Sequence, residues 1–155
     1  MSTKKDKFSN KDKIFMELAL NLAKARHGLT GINPSVGCVI VKNNEILSIG
    51  QTGFNGTPHA EFNAIKNSNE NLEGSKMYVT LEPCSHYGKT PPCTNIIIKN
   101  KIKEVVYAVE DIDKKVKGKT LKILQSKNIL VKKNLLKKEL NRFYTPYFFN
   151  RKNKL

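Results

Sequence analysis

Residues 36–50 read Val-Gly-Cys-Val-Ile-Val-Lys-Asn-Asn-Glu-Ile-Leu-Ser-Ile-Gly and carry the clearest local pattern in the chain. Residues 36–41 are an apolar run with the length of a buried strand. Asn43 and Asn44 follow, and asparagine adopts the positive φ angles that a two-residue hairpin turn requires. Residues 46–50 then supply a second strand. The segment therefore predicts an antiparallel hairpin.

The rest of the chain alternates predicted helices and strands. Ser9-Asn10-Lys11-Asp12 has the S-x-x-D spacing of a helix start, and apolar side chains recur at helical spacing as far as Gly28. The later pattern predicts, in order, a helix opening at His59, a strand at 77–81, a helix at 93–100, a strand at 105–109, a helix at 121–127, an edge strand at 129–131 and a helix at 135–142. Because strands alternate with helices after an opening hairpin, the predicted class is α/β, with helices on both faces of the sheet.

The positive charge of the chain is concentrated at its ends. The sequence carries 28 Lys and Arg against 13 Asp and Glu, a formal net charge of +15. Residues 114–155 hold fourteen basic side chains and one acidic one, whereas residues 14–113 hold nine basic and ten acidic ones. The near-neutral body argues against nucleic acid as the partner. No apolar run approaches the roughly 18 residues of a membrane helix.

Length and cysteine content indicate one domain in a reducing compartment. A chain of 155 residues can bury a core of its own. We expect a disordered basic tail over residues 1–9, a single domain over 10–150 and a polar end over 151–155. Three cysteines are too few, and odd in number, for a secreted disulfide scaffold, so we expect a cytoplasmic protein.

One histidine, two cysteines and one glutamate form the candidate site. His59 lies at a predicted helix start, and Cys84 and Cys93 each follow a proline. This ligand set suits zinc, and three protein ligands leave one position open for water. Glu61 is too close to His59 to be a natural fourth ligand, but it can take a proton from the water and return it to a leaving group. The arrangement H-x-E…P-C…C is the signature of zinc-dependent nucleobase deaminases.

The cysteines and His59 also have simpler interpretations. Cys38 lies inside an apolar strand and is expected to be a core residue, since buried cysteine behaves as a small hydrophobe. A structural zinc site is a further alternative for His59, Cys84 and Cys93, but it would normally have a fourth Cys or His.

Residues 83–93, Pro-Cys-Ser-His-Tyr-Gly-Lys-Thr-Pro-Pro-Cys, resemble the deaminase domain of the bacterial riboflavin-biosynthesis deaminase/reductase. The eight residues between Cys84 and Cys93 separate this family from tRNA-adenosine, cytosine and dCMP deaminases, which usually have two. Supporting similarity runs from residue 16 to about residue 143. The resemblance implies a cytidine-deaminase-like, three-layer α/β/α fold with a mixed sheet of about five strands.

The resemblance also implies a substrate and a mechanism. The family acts on 2,5-diamino-6-ribosylamino-4(3H)-pyrimidinone 5′-phosphate, replaces its 2-amino group by oxygen and releases ammonia. On the matching positions, His59, Cys84 and Cys93 would hold one zinc ion and Glu61 would move protons. The resemblance and the chemistry of the loop assign substrate contacts to six further residues: Asn33, His86, Lys89, Thr90, Asp111 and Asp113. Among them, Lys89 and Thr90 supply the cation and donor that a phosphate needs.

Two positions depart from the family pattern. The family usually has Asp-Pro-Asn-Pro where this chain has residues 111–114, so Asp113 places a carboxylate where an amide is usual. We expect Lys114, Lys115 or Lys117 to compensate its charge. Thr52 lies in a loop that lacks the family's common histidine.

Other functions and partners remain open at this point. The family commonly continues into a reductase domain, which would begin where this chain stops, so we expect no reductase domain here and a separate reductase as partner. The aromatic residues at 143–149 predict packing against the core or another subunit, and a homo-oligomer is possible. The alternative functions are a tRNA or other nucleic-acid base deaminase, a small free-nucleoside deaminase, and a non-enzymatic zinc-bearing partner subunit.

Overall fold

A computed structural model describes residues 7–113 and 116–153. Within these ranges the strands are β1 (Gly37–Lys42), β2 (Glu45–Gln51), β3 (Lys76–Leu81), β4 (Glu104–Val109) and β5 (Leu130–Lys133). The α-helices are α1 (Asn10–Ala25), α2 (Ala60–Asn67), α3 (Cys93–Lys99), α4 (Lys119–Ser126) and α5 (Lys137–Lys152). No helix in these two ranges is long and apolar enough to cross a lipid bilayer. Most of the predicted basic tail, residues 1–6, lies outside the described residues.

The five strands form one mixed sheet in the order β2-β1-β3-β4-β5. β1 pairs antiparallel with β2 and with β3, whereas β4 runs parallel to both β3 and β5. Asn43 and Asn44 have φ angles of 52° and 63°, as the predicted hairpin turn requires. The α/β class, the opening hairpin and the mixed five-stranded sheet are therefore confirmed.

Helices cover both faces of the sheet, and two glycines allow them to approach closely. A Cβ atom on Gly37 would come within 1.8 Å of the carbonyl oxygen of Ala19 in α1. A Cβ atom on Gly50 would come within 2.3 Å of the carbonyl oxygen of Ala60 in α2. Since any side chain at either position would collide with a helix backbone, these glycines set the α1–β1 and α2–β2 spacings.

Charged residues at the amino ends of β3 and β4 bind one another and the start of α1. Asp12 completes a capping box with Ser9 at the start of α1. Its carboxylate also accepts hydrogen bonds from Tyr78 and from Lys76, the latter at 3.0 Å. Glu104 lies 3.4 Å from Lys76 Nζ and 3.1 Å from Lys132 Nζ. We call this group, Asp12, Lys76, Tyr78, Glu104 and Lys132, the amino-end network.

Helix α5 is longer than its sequence pattern predicts. The prediction ends the helix at Arg142, but α5 continues through Pro146 to Lys152. Its buried residue Tyr144 forms 2.7 Å hydrogen bonds with the carbonyl oxygen of Ser35 and with Thr80 Oγ1. Packing against the core therefore overrides the helix-breaking tendency of the proline, and it places residues 151 and 152, predicted as part of a polar end, inside the helix.

Candidate active site

The candidate site lies where β3 and β4 end and where α2 and α3 begin. His59 is the N-cap residue of α2, and Glu61 lies in the first turn of that helix. Cys84 follows β3 by three residues, and Cys93 is the first residue of α3. Two helix N-termini therefore converge at one edge of the sheet and carry three of these four side chains.

The imidazole and the two thiols are close enough to bind one metal ion. Cys84 Sγ lies 3.6 Å from His59 Nδ1, and Cys93 Sγ lies 3.5 Å from the same nitrogen. All three ligand atoms fall within 4.8 Å of one another. A tetrahedral zinc with ordinary Zn–S and Zn–N bonds separates sulfur from nitrogen by about 3.6 Å. The donor types and their spacing therefore both fit zinc.

The Cys84 sulfur is the more acidic of the two thiols. The pKa of Cys84 lies well below the ordinary thiol value, because Cys93 and His59 form hydrogen bonds to its sulfur. The backbone N–H of Cys93 also donates to Cys84 Sγ at 3.2 Å. A thiolate is the form that binds metal, so the start of α3 favours the ligand state of Cys84.

Glu61 is a buried carboxyl group beside the metal ligands. Only 4% of its surface is exposed, and its Oε2 atom lies 3.4 Å from Cys93 Sγ. Burial raises its pKa above the ordinary value, while the neighbouring His59 lowers it. A carboxyl group in this environment can carry a proton more readily than one in water, which is what a proton shuttle requires.

A cavity of about 260 Å³ connects the metal ligands with the other predicted site residues. His59, Glu61 and Cys84 line it, whereas Cys93 is buried and absent from the lining. The cavity also brings together all six residues predicted to contact substrate: Asn33, His86, Lys89, Thr90, Asp111 and Asp113.

Asn33 and His86 each place a side-chain nitrogen inside the protein. The Asn33 side-chain amide donates to the carbonyl oxygen of Gly56 at 3.0 Å. Gly56 has a φ angle of +100°, and a Cβ atom there would come within 2.5 Å of Asn33 Nδ2. His86 Nδ1 is buried and has no hydrogen-bond partner among the described residues. A buried polar atom without a partner in a cavity wall indicates a position for a ligand group.

The two aspartates form a turn after β4. Asp111 is buried, and its Oδ1 atom accepts a 2.9 Å hydrogen bond from the backbone N–H of Asp113. Burial raises the pKa of Asp111. Arg151 of α5 donates to the carboxylate of Asp113. Lys114 and Lys115, two of the three lysines expected to compensate this charge, lie outside the described residues, so that expectation stays a prediction.

The cavity lining also includes residues that the sequence pattern did not predict, among them Thr52, Glu82, Tyr147 and Arg151. Thr52 was noted only as a departure, yet its hydroxyl accepts a 2.9 Å hydrogen bond from the backbone N–H of Val36. Both oxygens of buried Glu82 accept from the backbone N–H of Gly118, and burial raises the pKa of Glu82 to about 7. Glu82 directly precedes Pro83-Cys84, so its place beside a candidate metal ligand could have identified it. No local pattern marks Arg151.

Comparison with known proteins agrees with this site. Residues 9–109 match the family described as the cytidine and deoxycytidylate deaminase zinc-binding region. The chain is 44% identical over 138 residues to the diaminohydroxyphosphoribosylamino-pyrimidine deaminase of Buchnera aphidicola subsp. Schizaphis graminum, a match that covers 89% of this chain and 94% of that protein.

Longer relatives contain the same region as one part. The chain is 42% identical to the riboflavin biosynthesis protein RibD of Aquifex aeolicus, a match that covers 88% of this chain and 38% of that protein. The structure of Acinetobacter baumannii RibD (form 2) matches with a TM-score of 0.86 and 37% identity, over 90% of this chain and 40% of that one. The chain thus spans about two fifths of these RibD proteins. It belongs to the cytidine and deoxycytidylate deaminase family, in the group of the diaminohydroxyphosphoribosylamino-pyrimidine deaminases.

Proposed function

We propose that this deaminase converts 2,5-diamino-6-ribosylamino-4(3H)-pyrimidinone 5′-phosphate to 5-amino-6-ribosylaminouracil 5′-phosphate and ammonia in riboflavin biosynthesis. The observation that carries the proposal is the juxtaposition of His59, Cys84 and Cys93 with buried Glu61 at one cavity. The Buchnera relative, matched over nearly its whole length, bears the name of this activity.

The metal in this proposal is one zinc ion per chain, held by His59, Cys84 and Cys93. The match of the donor distances to a tetrahedral site supports this assignment. When bound, zinc supplies a Lewis acid that lowers the pKa of water into the neutral range.

Glu61 moves the protons of the reaction. Its carboxylate accepts a proton from the attacking water and delivers it to the ring nitrogen next to C2 of the pyrimidine. The same group then takes the proton of the new hydroxyl group at C2 and passes it to the departing amine, so water oxygen replaces nitrogen at C2 and ammonia leaves. Burial supports both steps, because it raises the pKa of Glu61 and so lets the carboxyl group hold a proton more readily than one in water.

The remaining wall of the cavity orients the substrate. Exposed Lys89 and Thr90 would bind the 5′-phosphate, which needs a cation and hydroxyl donors. The unpartnered Nδ1 of His86 and the carboxylates of Asp111 and Asp113 would bind polar groups of the ribose and the ring amines. Carboxylates suit amines because they only accept hydrogen bonds, whereas amines donate them.

Ammonia release from the purified protein tests the proposal. We expect about one zinc per chain by elemental analysis and turnover of the phosphorylated diaminopyrimidinone. The controls are cytidine, dCMP and a tRNA, none of which should release ammonia at a comparable rate. Failure to turn over the diaminopyrimidinone with zinc fully loaded would refute the substrate, and a faster reaction with a control would point to that substrate class. The separate reductase, the homo-oligomer and the cytoplasmic location stay predictions.

A further inference from the structure

Acidic residues line the cavity, yet under the proposed function the cavity binds a substrate that is itself an anion. Four carboxyl groups line it, those of Glu61, Glu82, Asp111 and Asp113. A carboxylate close to a phosphate raises the free energy of binding by like-charge repulsion. The side chain of Asp113 is 14% exposed, so water alone screens it only in part.

Arg151 provides a positive charge next to Asp113 in the cavity wall. It lies in the last turn of α5, lines the same cavity and donates from its Nη2 atom to Oδ2 of Asp113 at 2.5 Å. The two residues are 38 positions apart in sequence, so the pair joins the end of α5 to the turn after β4. The contact raises the pKa of Arg151, so the guanidinium stays charged.

We propose that Arg151 is a positioning residue for the phosphorylated substrate and acts through Asp113. Arg151 holds the Asp113 carboxylate against the wall and offsets its charge, so that Asp113 can accept hydrogen bonds from substrate without repelling the phosphate. This inference rests on the proposed function only in that the ligand carries a phosphate.

The pair is not required to attach α5 to the body of the protein. Tyr144, two turns earlier, is buried and binds both Ser35 and Thr80 at 2.7 Å. The side chain of Arg151 is 47% exposed, so water screens one partner of this ion pair and limits what the pair contributes to stability. Loss of the pair should therefore change substrate binding more than folding.

A double-mutant cycle in the full chain tests the inference. We expect Arg151→Gln to raise KM for the phosphorylated substrate about tenfold with kcat within about twofold, and to raise KM for the dephosphorylated form less than about threefold. In an Asp113→Asn background the same substitution should raise KM less than about threefold, because the charge that needs offsetting is gone. Arg151→Lys should retain most of the affinity, since it keeps the charge.

Arg142→Gln is the matched control, because Arg142 is exposed on the same helix and does not line the cavity. The inference is overturned if Arg151→Gln behaves like this control. It is also overturned if Arg151→Gln still raises KM tenfold in the Asp113→Asn background, since Arg151 would then act without Asp113.

A second measurement separates this inference from the proposed substrate. Ribose 5-phosphate should raise Tm of the wild-type protein, and Arg151→Gln should reduce that shift while Arg151→Gln/Asp113→Asn restores it. If the diaminopyrimidinone is not a substrate but this pattern holds, the proposed function fails and the role of Arg151 stands. If ribose 5-phosphate raises Tm equally in the wild type and in Arg151→Gln, or in neither, the role of Arg151 is refuted.

Discussion

The two ends of the central sheet use the same kinds of side chain in opposite ways. At the amino ends of β3 and β4, the charges of the amino-end network are paired with one another, as Lys76 is with both Asp12 and Glu104. At the carboxyl ends of the same strands, acidic groups and two of the candidate metal ligands line a cavity. Charges paired with one another have their hydrogen bonds satisfied inside the protein, whereas polar groups facing a cavity can bind a ligand.

The acidities of the carboxyl groups show the same contrast. Burial alone would raise the pKa of Asp12, but hydrogen bonds from Tyr78, from the Ser9 backbone and from Lys76 lower it to about 2. Burial raises the pKa of Glu61 and brings that of Glu82 to about 7. Strong hydrogen-bond donors therefore determine the pKa of Asp12, whereas desolvation determines the pKa of Glu61 and of Glu82. The carboxyl group at the amino end is therefore held ionised by its partners, whereas the two at the carboxyl end take up a proton more readily.

Exchanging one glutamate for glutamine at each end is the strongest test of this contrast. Glu61→Gln should lower kcat by about 10² to 10⁴, because the amide cannot carry the proton, and it should leave the zinc content unchanged. The measurements are steady-state ammonia release and elemental analysis. Glu104→Gln at the opposite end should lower Tm and leave kcat unchanged, because Lys132 loses its ion pair with Glu104 and Lys76 loses one of its two carboxylate partners. Normal turnover by Glu61→Gln would contradict its role as proton shuttle.

Replacing one lysine at each end gives the next largest effect. Lys89→Ala should raise KM about tenfold on the phosphorylated substrate and much less on the dephosphorylated one, since it removes a cation for the phosphate. Lys132→Ala, the matched change in the amino-end network, should leave both KM values unchanged. An equal rise in KM on the two substrates would show that Lys89 does not bind phosphate.

The smallest effect concerns stability alone. Asp12→Asn should lower the free energy of unfolding at neutral pH by about 1–2 kcal/mol, because it weakens the helix cap and the bonds to Lys76 and Tyr78. The folded pKa of Asp12 lies below its ordinary value of 3.8, so this stability is present above pH 3.8 and is lost as the pH falls towards 2.

Denaturant unfolding of wild type and Asp12→Asn between pH 7 and pH 2 measures this difference. The difference in free energy of unfolding between the two proteins should become smaller as the pH falls from 3.8 towards 2. A gap between the two proteins that is constant with pH would show that the Asp12 charge is not the cause. Turnover at neutral pH should be equal in both, since Asp12 belongs to the opposite end of the sheet.

The four residues of the candidate site could be predicted from the sequence because each has a local marker. His59 and Glu61 share one helix start, and Cys84 and Cys93 each follow a proline, so a few neighbouring residues identify all four. Arg151 has no such marker. It faces Asp113 only because α5 continues past Pro146, and that continuation depends on the packing of Tyr144 beneath residues 35 and 80.

Short-range patterns predict the strands, the hairpin, the helix starts and the candidate metal ligands, because periodicity, turn angles and capping act over a few neighbouring residues. Only the tertiary structure decided which charges are paired and which face the cavity. Asp12 meets Lys76 across 64 residues, and Asp113 meets Arg151 across 38. Contacts over such distances depend on how the helices pack on the sheet, and no short-range pattern encodes that packing.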